Sequence, residues 1–169
     1  MKLIAGILMA TLAAGGDDPG FRELVPQVVS TARDHALRSA GRGSIAGPVL
    51  VDAASFSAAG RALGESVSAQ AVAQAAGAGV RTVAPGQGVV CTEPTATTPR
   101  RCEVAGRGVV VSMQSATRTA EGLDVVVTTR WTYTRNSGAV AVAAHMLRLS
   151  YQEEGRGWRL KGKKVLRQT

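Results

Sequence analysis

The sequence predicts an α+β domain in which a long N-terminal helix packs on a curved antiparallel sheet. Three observations predict it. Apolar residues recur at helical spacing from Phe21 to about Ser39. Between Leu123 and Tyr133 apolar and polar residues alternate, the period of a half-buried strand. Turn formers divide the stretch from Cys102 to Leu166 into four successive strands, and helices early with strands late is the α+β arrangement.

The chain opens with Lys2 and an apolar run from Leu3 to Ala14, followed by Gly15-Gly16-Asp17-Asp18. A basic start, a short apolar stretch and small residues after it read as a signal peptide over residues 1–14, with cleavage after Thr11-Leu12-Ala13 or Leu12-Ala13-Ala14. The run is shorter than the roughly 20 residues that span a bilayer, so no transmembrane helix is expected in the mature chain. A buried first helix is the alternative. Export to the periplasm or outside is the expectation.

Asp18-Pro19 can cap and start the long helix, because a carboxylate suits the N-cap and a proline ring suits the first helical position. Phe21, Leu24, Val25, Val28, Val29, Ala32, Ala36 and Leu37 form its stripe, Pro26 interrupts it near its start, and Gly41-Arg42-Gly43-Ser44 ends it. Pro48–Asp52 is an apolar run between turn formers and reads as a strand. Residues 55–63 and 66–76 read as short helices stopped by Gly64 and Gly77. Val89-Val90-Cys91 opens a strand that leads into a cysteine loop.

In the late strands, Leu123, Val125, Val127, Thr129, Trp131 and Tyr133 share one face, and Val109, Val111 and Met113 repeat the pattern before them. Asn136-Ser137-Gly138 is a turn, and Ala139–Tyr151 is its hairpin partner. Its phase changes from even (Val140, Val142) to odd (Leu147, Leu149, Tyr151), which predicts a bulge near Ala143-Ala144. Trp158, Leu160 and Leu166 place the last strand's apolar side on one parity.

At 169 residues and 45% hydrophobic, the chain suits one domain over residues 15–169 with a core of its own. The net charge of +8 is unevenly placed. Residues 1–99 carry seven basic and seven acidic side chains, while residues 100–169 carry thirteen and five, so the strand-rich part holds all the excess. Cys91 and Cys102 flank a loop of turn formers and fit a disulfide, which would contribute about 2–3 kcal/mol. Two free thiols or a metal site are the alternatives, and the chain's two histidines are few for a metal.

A long helix across a bent antiparallel sheet, with a late Gly157-Trp158-Arg159-Leu160-Lys161 strand, resembles the cystatin-like and NTF2-like group of folds. In many NTF2-like proteins two or more helices precede most of the sheet and form a conical pocket. Here the strand at 48–52 comes between the helices. No catalytic motif of that group carries over to particular residues.

Gly157–Lys163 approaches a phosphate-binding GxxxxGK[ST] loop but places Lys164 where the hydroxyl belongs, with strand rather than helix around it. No cofactor is implied. The candidate pocket residues are His145, Asp52 and Trp131. His145 lies mid-strand and could serve as base or ligand, or as a core histidine with one hydrogen bond. Asp52 could be a pocket acid or the cap of the next helix. His35 follows Asp34 on a helix, where adjacent side chains diverge, so no dyad is implied.

Arg159, Lys161, Lys163 and Arg167 share a parity opposite Trp158, and Arg130 and Arg148 could extend a basic face for an acidic or anionic surface. The alternative is a solvated edge strand protected by lysines. No aromatics interleave there, which argues against nucleic acid. The reading is a non-catalytic module binding a ligand or partner. The alternatives are an NTF2-like pocket enzyme using His145 or Asp52, and an electrostatic binder of anionic surfaces. A pocket holding one of those two residues beside a second titratable group would favour the enzyme.

Overall fold

The computed structural model describes residues 20–40, 45–135 and 138–169. The run read as a signal peptide, the Asp18-Pro19 cap, the Gly41–Ser44 helix stop and the Asn136-Ser137 part of the turn lie outside them.

The long helix, α1, runs Phe21–Ala40. Its start is capped from elsewhere in the chain. The Phe21 amide donates to the Glu65 carboxylate and the Gly20 amide to Glu23, each at 2.6 Å, so two negative groups sit at the positive end of the helix. Pro26 lies in the second turn on the exposed side of the helix, where both it and Arg22, whose carbonyl loses its usual donor, are exposed residues. The buried stripe is the expected one except that Leu37 is only half-buried and His35 joins it.

β1 (Val49–Asp52) follows, then α2 (Ala53–Ala62) and α3 (Ala69–Ala76). Next come β2 (Val80–Val83), β3 (Val89–Thr92) and β4 (Arg101–Val104). A 3₁₀ turn over Ala105–Arg107 leads into β5 (Val109–Thr119), β6 (Gly122–Thr134), β7 (Val140–Glu154) and β8 (Gly157–Gln168). Six strands form one sheet in the order β2-β1-β5-β6-β7-β8. β1 runs parallel to both β2 and β5, and β5 to β8 are a meander of antiparallel hairpins. The fold is α+β, as the residue patterns predicted. β2 was not foreseen: its Val-Arg-Thr-Val is short and half exposed. The stretch at Cys102 is also not the first strand of the meander. It pairs with β3 in a separate two-stranded sheet that the Cys91–Cys102 disulfide bridges.

α1 lies against the face formed by odd positions of β6 and β7. Phe21, Leu24, Val25, Val28 and Ala32 pack there with Leu123, Val125, Val127, Leu147, Leu149 and both tryptophans. Fully buried large side chains such as these stabilise by about 1.5–3 kcal/mol each. Trp158 also donates through Nε1 to the Gly20 carbonyl at 3.3 Å, tying the last strand to the helix start.

The predicted bulge at Ala143-Ala144 is absent. β6 and β7 stay in register from Leu123–Tyr151 to Thr134–Val140. The phase of β7 changes because both faces of the sheet are apolar at that end. On the face away from α1, Val142 packs on a second cluster of Leu50, Val104 and Val110 beneath the disulfide hairpin. The register shifts lie elsewhere, at Gln114 in β5 and at Lys161 and Leu166 in β8. The β8 shifts change its faces. Leu160 and Leu166 are each 39% exposed, and Val165 takes the core place opposite Leu147.

Candidate functional site

The helix ends at Ala40 while β6 and β7 continue past it, and the residues they present there include the small Ala143. The space left is a cavity of about 620 Å³. Ser39 and Ala40 of α1, Trp131 and Tyr133 of β6, Ala143 and His145 of β7, Gln168 of β8 and Arg107 of the 3₁₀ turn line it.

Two of the three candidate pocket residues meet here. His145 packs edge-on to Trp131 with ring centroids 4.7 Å apart. Asp52 does not line this cavity. Its Oδ1 accepts from the Ser55 amide at 3.1 Å, and it caps α2.

His35 was missed as a site residue. Its Nε2 lies 2.8 Å from His145 Nδ1, across 110 residues of sequence. A signal existed: His35 falls three residues after Ala32 on the buried stripe of α1, and His145 shares the parity of Leu147, Leu149 and Tyr151. The chain's two histidines therefore both project from core-facing positions.

Burial first, then the electrostatic influence of Lys163, His145 and Arg38, lowers the His35 ring to a pKa of about 4. Burial also lowers His145. At neutral pH both rings are uncharged, and one N–H bridges the two nitrogens.

The chemistry open to this pair is limited. Ser39 Oγ lies 3.4 Å from the same His35 Nε2 that meets His145. A serine relay needs a different ring nitrogen for each partner, so these two compete instead. A tetrahedral zinc bound by both rings at about 2.0–2.1 Å would hold their nitrogens roughly 3.3–3.4 Å apart, wider than the 2.8 Å observed. Among the described residues no group of three or more potential ligands occurs.

The basic strand is rearranged by the bulges in β8. Arg159 lies opposite Gln152 and pairs with Glu154 at 3.1 Å. Lys161 is the extra residue at one register shift, and Lys163 lies opposite Leu149 on the helix side. The single basic parity expected of Arg159, Lys161, Lys163 and Arg167 is therefore not formed. Lys164, opposite Arg148, takes a place in it. Arg130, Arg148, Lys164 and Arg167 share the face away from α1, and among the described residues none makes an ion pair.

The fold and site define a class: an α+β domain whose sheet and helix end border a half-open cavity with an uncharged histidine pair. Comparison of the chain with protein-family models, with curated proteins and with solved structures finds no match.

Proposed function

We propose that this protein is an exported, non-catalytic binding module, organised like the cystatin-like and NTF2-like group, that holds a small amphipathic molecule at the end of α1. The observation that carries the reading is the cavity itself. Its volume suits one small ligand, its walls are aromatic and aliphatic, and a few polar groups converge on it. The disulfide supports export, because such bonds persist in oxidising compartments.

The test uses Trp131 as reporter. Trp158→Phe leaves it the sole indole. Titration with 4-phenylbutan-1-ol or 4-phenylbutyrate should change its emission saturably, and Ala143→Phe, which fills the cavity, should abolish the response. An unresponsive parent, or a response unaltered by Ala143→Phe, would refute the reading.

One observation favours the enzyme alternative: His145 does have a second titratable group within hydrogen-bond reach in a pocket. We place it second because both rings are lowered in basicity and, among the described residues, no Asp or Glu side chain lines the cavity. Saturable turnover of an activated ester, lost in His145→Ala, would reverse the order. The electrostatic alternative rests on the four cations facing away from α1. Salt-insensitive retention on anionic vesicles would remove it.

A further inference from the structure

We infer that the cavity selects a carboxylate with an aromatic or alkyl body, and that Arg107 binds the carboxylate. This rests on the binding reading above and names its ligand class.

Among the described residues Arg107 is the one charged side chain lining the cavity, and no Asp or Glu side chain lines it. Lys163 and Arg38 act on the adjoining His35 as further positive charges. The charged side chains around the cavity therefore favour an anion. Among the described residues the Arg107 guanidinium has no ion-pair or hydrogen-bond partner, so its paired donors are free for a bidentate carboxylate. A neutral molecule would use only the Trp131, Tyr133 and Ala143 walls.

The backbone beneath Arg107 is a second reason. Arg107 has φ 55°, the one positive value at a non-glycine among the described residues. Glycine or asparagine fits such a position more easily. The turn is nevertheless fixed. The Arg107 carbonyl accepts from the Ala46 and Gly47 amides at 3.3 and 3.1 Å. Gly47 and Gly108 lock the same junction: a Cβ on Gly47 would lie 1.9 Å from the Gly106 carbonyl oxygen, and one on Gly108 2.1 Å from that of Pro48. The fold thus holds a long cationic side chain at a strained position beside the cavity. Packing does not require it there, since Arg107 itself is exposed. Side-chain function accounts for the choice.

The experiment measures dissociation constants of 4-phenylbutyrate and of 4-phenylbutan-1-ol for the full chain at neutral pH, by Trp131 emission in the Trp158→Phe background. The acid should bind at least about tenfold tighter than the alcohol, as a hydrogen bond to a charged group implies. Arg107→Asn, which suits the left-handed backbone, should bring the two constants within about twofold while leaving that of the alcohol unchanged. Arg107→Lys should restore part of the preference. A structural role alone would weaken both ligands together and would overturn the inference, as would a preference that survives in Arg107→Asn. If acid and alcohol bind the parent equally, the carboxylate class is wrong but the cavity reading stands. If neither binds, the cavity reading itself fails, and the inference with it.

Discussion

Lowering the pH from neutrality should remove stability from this protein that a His35→Leu variant does not have to lose. In the unfolded chain the His35 ring takes its proton near the ordinary value of 6.5, while in the folded chain it does so near 4. Between these limits the unfolded chain binds more protons, so stability falls as the pH falls. The contribution is complete above about pH 6.5 and is lost progressively as the pH drops through about 4.

The full displacement is linked to at most about 3 kcal/mol. His35 is only 8% exposed, but its partner His145 opens onto the cavity, so solvent screening should reduce this to about 1–2 kcal/mol. The groups facing the ring are His145 from β7, Lys163 from β8, and Arg38 and Ser39 from its own helix. The assay is urea unfolding across a pH series, followed by tryptophan emission, for both proteins. With a slope of about 2 kcal/mol per molar, the wild-type midpoint should fall by about 0.5–1 M relative to the variant between pH 7 and 4. A difference between the two midpoints that stays constant across the series would refute the linkage.

Three further outcomes are expected. Replacing both cysteines by serine should lower stability by about 3 kcal/mol through the loop entropy regained between Cys91 and Cys102, with the six-stranded sheet's circular dichroism retained. A much larger loss of structure would mean that the hairpin holds the main sheet together. Asp52→Ala should reduce the denaturation free energy by about 1 kcal/mol, the usual effect of losing an N-cap, and leave ligand affinity unchanged. A lost affinity would return Asp52 to the site. Gly108→Ala should destabilise by about 1–3 kcal/mol or more, because its methyl meets backbone rather than a movable side chain. An unchanged melting temperature would disprove the tight junction.

The elements with clear periodicity were legible in the sequence. The stripe of α1 and the alternation of β6 each reflect one apolar face, with threonines rather than aliphatics at the buried positions on the far side of β6, and this leaves a simple repeat. The errors arose where that condition fails. β7 is apolar on both sides near Val142, so a change of phase looked like an inserted residue. In β8 the inserted residues are Lys161 and Leu166, and neither carries a turn signal, so parity assigned Lys163 and Leu166 to the wrong faces. His145 and Trp131 could be nominated from their strand positions. Their partner His35 required the register of helix on sheet, which no local pattern encodes. Arg107 was invisible for the same reason: its place beside the cavity depends on how closely Gly47 and Gly108 let two chain segments approach.

The first helix is fastened at both ends to strands made much later. Gly20 is held by Trp158, 138 residues on, and His35 by His145, 110 residues on. At a synthesis rate of about 5–20 residues per second, α1 waits roughly 5.5–22 s for the first of these anchors to be made. A single helix of this length is marginal in water, so its greasy stripe has no native cover during that interval. The nascent chain should therefore depend on a holding chaperone throughout translation, and native structure should arise only when the last hairpin arrives.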